Sequence, residues 1–216
     1  MAILTEHEKL FFNDGYQIGR EAVSNGFGNQ KIMDAIANMY ESMDQLIDSL
    51  FELAKKQGIS IQCKKGCCWC CHQPVFANSH EIQYLSNFIK TNFSKMAIEN
   101  IRRKAIEKNQ QTSKLRQEIL LKNKGACPLL KNGTCTAYSA RPMACRIYLS
   151  TKVKTCIEFY QNPDNENSFP ALLDFPLQAG RLMNEGFVAA LLESGIESEE
   201  FRLEEGLIAE LRGKPT

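Results

Sequence analysis

The residues of this chain best suited to chemistry are its cysteines, and most of them lie in one short segment. Five of the nine cysteines fall between Cys63 and Cys71. An isolated buried cysteine packs as a small apolar residue, but a core does not need five thiols in one turn-rich loop. Cysteines two or three residues apart can direct their sulfur atoms to one metal ion. Gly66 can adopt the positive φ that such a loop needs. The segment therefore indicates metal or redox chemistry.

The start of the chain favours reduced thiols over disulfides. It lacks a basic stretch followed by an apolar run and a small-residue cleavage site, so we expect no signal peptide. No segment approaches the roughly 20 apolar residues of a membrane span. We therefore expect a cytoplasmic protein with no membrane partner, in a compartment where thiols stay reduced. A bond between the adjacent Cys70 and Cys71 would also be strained. A redox disulfide switch and inert thiols are the alternatives to metal binding.

A second group of cysteines follows the loop at wider spacing. Its members are Cys127, Cys135, Cys145 and Cys156. The Asn132-Gly133 dipeptide is a strong turn signal, and it predicts that the chain folds back to bring Cys135 towards Cys127. Pro142 is typical of the start of a helix. Cys145 would then lie in the first turn, where the helix dipole favours a thiolate.

Basic residues beside the cysteines suit a site that carries negative charge. Four thiolates on one Zn²⁺ have a net charge of about −2, which a site of low dielectric must offset. We expect Arg141 and Arg146 either to have a structural role or to donate N–H groups to the sulfur atoms. Lys64 and Lys65 are more typical of a solvated surface.

The rest of the sequence predicts a mainly α protein, namely a helical domain with an irregular cysteine-rich metal-binding core formed by two loop segments. A heptad stripe from Ile32 to Leu53 predicts a core-facing helix, with a dimer seam as the alternative. The predicted helices cover about Glu6 to Ser24, Asn29 to Gln57, His80 to Asn92, Ser94 to Lys122, Pro170 to Ser194 and Ser198 to Arg212, with a break at Asn25-Gly26-Phe27-Gly28 and short strands between Lys131 and Tyr138. The predicted divisions are N-terminal helices (1-58), a cysteine-cluster metal-binding domain (59-160), and C-terminal helices packing on that same domain (161-216).

The charge of the chain is balanced overall but uneven along its length. The net charge is +1, which argues against a strong general affinity for nucleic acid. Between Arg102 and Lys124, however, there are eight basic and two acidic residues. Solvated helix faces explain this pattern most simply. The alternative is that the 102-124 basic helix binds an acidic protein or a nucleic acid.

The cysteine motifs, taken together and in order, resemble the YkgJ-type cysteine-cluster family. The motifs are Gly66-Cys67-x-x-Cys70-Cys71, Cys127-Pro-Leu-Leu, Cys135-Thr-Ala-Tyr and Arg141-Pro-Met-Ala-Cys145-Arg. That family is described as zinc- or iron-chelating, with a CxxCxxCC signature. The resemblance covers Cys63 to Cys156. This chain departs from the signature because three residues, not two, separate Cys63 from Cys67.

The resemblance implies eight metal ligands and leaves Cys68 as a spare thiol. The implied ligands are Cys63, Cys67, Cys70, Cys71, Cys127, Cys135, Cys145 and Cys156. Eight thiols would serve two four-cysteine sites, or one cluster with auxiliary thiols. Sites made only of thiolates suit Zn²⁺, iron or a [4Fe–4S] cluster. We expect His72 to be a hydrogen-bonding neighbour rather than a ligand.

Three functions are compatible with these residues. The first is a metal-chelating cysteine-cluster protein without an assigned reaction. The second is an Fe–S dependent oxidoreductase or protein-modifying enzyme, because the flagellin lysine methylase family carries a related motif. The third is a zinc module that binds a protein or a nucleic acid. The sequence has no Gly-rich nucleotide loop and identifies no catalytic residue.

Overall fold

The protein is mainly α-helical, as predicted. The computed structural model describes residues 5–24 and 28–212, so the predicted break at 25–27 lies outside the described residues. The helices of the described ranges are α1 (Glu6–Val23), α2 (Asn29–Lys56), α3 (Ser79–Asn92), α4 (Lys95–Thr112), α5 (Gln117–Lys122), α6 (Met143–Ile147), α7 (Val153–Gln161), α8 (Asp174–Glu193) and α9 (Leu203–Glu210). The short strands are β1 (Phe76–Asn78), β2 (Leu130–Lys131), β3 (Thr134–Cys135) and β4 (Glu200–Arg202). None of the described helices is long and apolar enough to cross a membrane.

The described chain divides into two compact units. The first contains the described residues up to Ile61, together with Arg146–Leu149 and Leu172–Glu199. The second contains Gln62–Cys145, Ser150–Ala171 and the described residues from Glu200 onward. The C-terminal part of the chain thus contributes α8 to the first unit and α9 to the second.

In the first unit, α1 and α8 pack at very short range because glycines face the partner backbone. A Cβ atom built on Gly15 would lie 1.8 Å from the carbonyl oxygen of Met183. A Cβ atom built on Gly186 would lie 2.0 Å from the carbonyl oxygen of Phe12. Both distances are far below van der Waals contact, so any larger side chain would force the two helices apart.

The long helix α2 buries the first part of the predicted heptad stripe. Ile32, Ile36, Met39 and Met43 are all buried. Further along, the buried positions are Ile47 and Ala54, while Leu53 is 52% exposed. A straight helix drifts by about 20° per heptad, so over the heptads between Ile32 and Leu53 a strict seven-residue repeat rotates by about 60° away from the core.

In the second unit, α4 and α9 pack together and α3 packs against α9. Their apolar core includes Ile82, Leu85, Ile89, Ile101, Ala105, Leu129, Leu207 and the buried thiol Cys127. Strand β1 pairs antiparallel with β4, which ties the segment after the cysteine loop to the start of α9. The cysteine-rich segments are therefore attached to the same core as these helices.

The helix predicted from Ser94 to Lys122 is two helices. Its start is correct, because the Ser94 hydroxyl accepts a hydrogen bond from the Ala97 backbone N–H at 3.3 Å. It ends at Thr112, whose buried hydroxyl bonds the carbonyl of Lys108 at 3.0 Å and the carboxyl of Glu204 at 2.8 Å. Those buried bonds hold the last turn in place, and the chain then becomes extended before α5.

Some elements have no counterpart among the predictions. Helix α7 was missed, and so was the pairing of β1 with β4. Each of these strands has three residues, which is too short for an alternating pattern to be recognised. The hairpin of β2 and β3 agrees with the short strands predicted around Lys131 to Tyr138.

Candidate metal centre

The first cysteine segment is a compact loop between α2 and β1. Gly66 has φ +94°, as expected from its position, and the Cys67 N–H donates to the Lys64 carbonyl at 3.0 Å. The segment Trp69–His72 then forms a turn of 3-10 helix. This winding places the last two cysteines of the loop on consecutive positions of one tight turn.

The thiols of Cys70 and Cys71 strongly affect each other's ionisation. Their interaction lowers the pKa of Cys70 to about 7 and raises the pKa of Cys71. The pair therefore holds one proton firmly and releases the other near neutral pH. One of the two sulfur atoms is thus available as a thiolate, which is the form that binds metal.

The second cysteine segment is bonded directly to the first. The Cys127 N–H donates to the Cys71 carbonyl at 2.7 Å. The predicted hairpin turn is present, with Asn132 at φ 51° and Gly133 at φ 73°, and it pairs Cys135 with Leu130. Cys71, Cys127 and Cys135 consequently pack against one apolar core.

The remaining cysteines come from the end of the loop region and from α7. Cys145 lies in the five-residue helix α6, and its N–H donates to the Pro142 carbonyl at 2.9 Å. Cys156 is buried on α7, and the Ser150 side chain lowers its pKa against the larger effect of burial. The Ser150 carbonyl accepts from the Cys63 N–H at 3.2 Å. Ser150 therefore interacts with both the first and the last cysteine of the set.

The thiols are close enough to oppose ionisation of one another. Burial is the largest cause of the raised pKa at Cys63, Cys127, Cys135, Cys145 and Cys156, and it brings the pKa of Cys127 to about 11. Neighbouring thiolates raise these pKa values further. The charges of Cys67 and Cys70 raise the pKa of Cys63 and Cys156 in this way, and the charge of Cys70 also raises the pKa of Cys71, Cys135 and Cys145.

Thiols from both cysteine segments and from α7 are therefore close enough to Cys70 to be affected by its charge. Within the described ranges, no group of three or more cysteine, histidine or acidic side chains is arranged to hold a metal ion. The ligand set therefore stays a prediction.

The positive charge of Arg141 affects the pKa of three of these thiols. Its charge lowers the pKa of Cys70, Cys135 and Cys145. The guanidinium lies 3.9 Å from the centre of the Tyr138 ring and donates to the Tyr138 carbonyl at 2.7 Å. The role of Arg141 in offsetting the charge of a metal-bound thiolate cluster stays a prediction.

Arg146 takes the structural role of the two that the sequence allowed. Its side chain is 1% exposed, forms an ion pair with Asp44, and lies 4.1 Å from the centre of the Tyr40 ring. Both partners belong to α2. A guanidinium directly after a cysteine can point to the opposite side of a short helix, and spacing alone does not reveal that direction.

The sequence analysis missed two lysines of α4 that hold the Cys127 loop. Lys108 is buried and donates to the Gly125 carbonyl at 3.1 Å. Lys104 lies one turn earlier and donates to the Leu130 carbonyl at 3.1 Å. The charge of Lys108 also lowers the pKa of Cys127, against the larger effect of burial. The i, i+4 spacing of the lysines puts them on one helix face, but only the fold brings that face to the loop.

Aromatic side chains join the first loop to α7. The rings of Trp69 and His72 lie 5.3 Å and 4.8 Å from the ring of Tyr160 on α7. The Nδ1 atom of His72 lies 3.1 Å from the Cys68 carbonyl. His72 thus makes the neighbouring contact that we expected of it, and the Trp69 ring packs against Tyr160.

The fold and this site define a helical cysteine-cluster domain. Residues 62–166 match the family model named CxxCxxCC, whose description is a putative zinc- or iron-chelating domain. This match confirms the resemblance that the motifs indicated. Comparison with curated proteins and with solved structures gave no match.

The side chains of the site fit such a metal in their chemistry. Thiolates are the donors that zinc and iron–sulfur sites use. Buried thiols that repel one another when ionised resist deprotonation in the absence of a cation, and a divalent metal removes that cost. The lowered pKa of Cys70 and the charge of Arg141 favour the same ionised state.

Proposed function

We propose that this protein chelates zinc or iron through its cysteine cluster. The observation that carries the proposal is that two cysteine segments far apart in the sequence are joined by the 2.7 Å bond from the Cys127 N–H to the Cys71 carbonyl. Adjacent thiolates repel one another unless a cation lies between them. A metal ion bound by the thiolates supplies that cation and explains why thiols from distant parts of the sequence lie together.

The proposed ligands are the eight clustered thiols, without Cys68. They are Cys63, Cys67, Cys70, Cys71, Cys127, Cys135, Cys145 and Cys156. Bound zinc would cross-link the segments that carry these cysteines, whereas an iron–sulfur cluster would also exchange electrons. Arg141 offsets thiolate charge, and Lys104 and Lys108 hold the loop that carries Cys127.

The bonds of the basic segment 102–124 support a structural part in the same site. Lys104 and Lys108 bond carbonyls of the Cys127 loop. Lys124 donates to the Gln73 side chain at 3.0 Å and lies 3.6 Å from the centre of the Phe159 ring. Burial lowers the pKa of Lys124 to about 8. A segment used in this way has less charge to offer to an acidic protein or a nucleic acid.

Metal analysis of anaerobically purified protein tests the proposal. Elemental analysis and the visible absorption spectrum are measured on the same sample. Stoichiometric zinc with no visible colour supports a zinc site, and stoichiometric iron with sulfide and a visible charge-transfer band supports an iron–sulfur cluster. Protein that carries only traces of any metal, and that takes up none after reduction and reconstitution, contradicts the proposal.

A further inference from the structure

The carboxyl group of Glu81 lies between two helix starts in the second unit. Glu81 is in the first turn of α3 and is only 2% exposed. One carboxyl oxygen accepts from the Asn78 N–H at 3.0 Å, which caps α3 itself. The other accepts from the Met143 N–H at 2.7 Å, and Met143 is the first residue of α6. One buried side chain therefore satisfies backbone donors that are far apart in sequence.

Both bonds use donors that a helix cannot satisfy alone. The first N–H groups of a helix have no carbonyl one turn earlier to bond. At the start of α6, Pro142 has no N–H, so the Met143 N–H is the first donor that needs a partner. Met143 is 1% exposed, and an unmet donor at that depth would be costly.

The helix that Glu81 holds is the one that carries Cys145. From Met143 the chain reaches Cys145 in two residues, and the Cys145 N–H bonds the Pro142 carbonyl at 2.9 Å. Fixing the Met143 N–H therefore fixes the turn on which this thiol is mounted. Outer groups that orient a metal ligand typically change metal affinity by about 10–100-fold.

We infer that Glu81 is a positioning residue for the metal centre, which it serves by fixing Cys145 through the N–H of Met143. The inference rests on the proposed metal-binding function. Glutamate suits the place because two N–H donors converge on it and its carboxyl group offers an acceptor oxygen to each. Glutamine offers a single oxygen, and its amide N–H₂ would face one of the two donors.

Cobalt substitution separates this role from a purely structural one. Co²⁺ bound by thiolates gives a sulfur-to-metal charge-transfer band whose intensity rises with the number of bound sulfur atoms. The comparison uses the wild type, Glu81→Gln, Cys145→Ser, the double variant, and Leu85→Ala as a control. Leu85 is fully buried on the same helix, so its truncation destabilises the unit without touching the bond to Met143.

We expect Glu81→Gln to lose as much charge-transfer intensity per cobalt as Cys145→Ser does, with no further loss in the double variant. Leu85→Ala should keep the wild-type intensity under conditions in which it is folded. Full intensity in folded Glu81→Gln would overturn the inference and leave Glu81 as a helix cap. If Glu81→Gln does not fold, Glu81→Asp gives the same comparison. If neither variant folds, Glu81 is needed for the fold as a whole and the inference is overturned. A wild type without a thiolate band would instead contradict the proposed function.

Discussion

The two arginines beside Cys145 should affect different properties of the protein when each is replaced by glutamine. Arg141 acts on the pKa of Cys70, Cys135 and Cys145, so its loss removes positive charge from the thiolate site. We expect Arg141→Gln to weaken metal binding by about 10–100-fold, the range typical of outer-shell groups. At about 1.4 kcal/mol per tenfold, this is about 1.4 to 2.8 kcal/mol of binding free energy.

Arg146→Gln should instead lower the free energy of unfolding of the metal-free protein. The guanidinium is 1% exposed, but the Asp44 side chain is 42% exposed and can be solvated after the ion pair is lost. The contact with the Tyr40 ring is lost as well. Together these give an expected cost of about 2–4 kcal/mol, near the lower end for a broken buried pair.

Chelator competition on the loaded protein and urea unfolding of the metal-free protein measure the two effects separately. Lys64→Gln is the control, because the exposed Lys64 ammonium in the first cysteine loop is screened by water. Its loss should change neither the metal affinity nor the unfolding free energy much. The assignment is wrong if Arg146→Gln loses metal as readily as Arg141→Gln without losing stability. It is also wrong if Lys64→Gln matches Arg141→Gln in metal loss, because the effect would then be one of general charge.

Further predictions concern the spare thiol, the helix contact and pH. Cys68→Ser should leave the metal content nearly unchanged while Cys70→Ser lowers it, and equal losses in elemental analysis would reassign the spare cysteine. Gly186→Ala should lower the unfolding free energy by about 3 kcal/mol through overpacking, although alanine favours helices. The control Glu185→Ala, at an exposed position of the same helix, should change it by less than about 0.5 kcal/mol. Equal urea midpoints for the two variants would contradict this. Because burial raises the pKa of Cys127 from 9.0 to about 11, the contribution of Cys127 to the stability of the metal-free protein should be fully present below pH 9 and lost between pH 9 and 11. Metal affinity should change in the opposite sense and rise with pH, because binding releases thiol protons, and a pH-independent affinity would contradict this.

The helices and the cysteine loop could be predicted because their signals are local. The heptad stripe predicted α2, the Ser94 cap predicted the start of α4, and Asn132-Gly133 predicted the hairpin turn. Each signal needs only a few neighbouring residues. The family resemblance had the same origin, since every motif in it spans only a few residues.

The tertiary contacts of the site could not be predicted in the same way. Glu81 bonds a residue 62 positions later, and Lys108 bonds one 17 positions later. Nothing in the spacing of either residue points to a cysteine. For Arg146, the position next to Cys145 in the sequence suggested a contact with sulfur as well as a structural role. In the structure its side chain pairs with Asp44 of α2. Proximity in sequence says little about direction in a short helix.

X-ray absorption at the metal edge of the purified protein tests the central claim most directly. For zinc, the account predicts a shell of about four sulfur atoms at about 2.3 Å, with nitrogen and oxygen contributing little. For iron, it predicts a sulfur shell together with a short iron–iron distance if a cluster is present. A first shell made mainly of nitrogen or oxygen would contradict the claim that the cysteine cluster holds the metal.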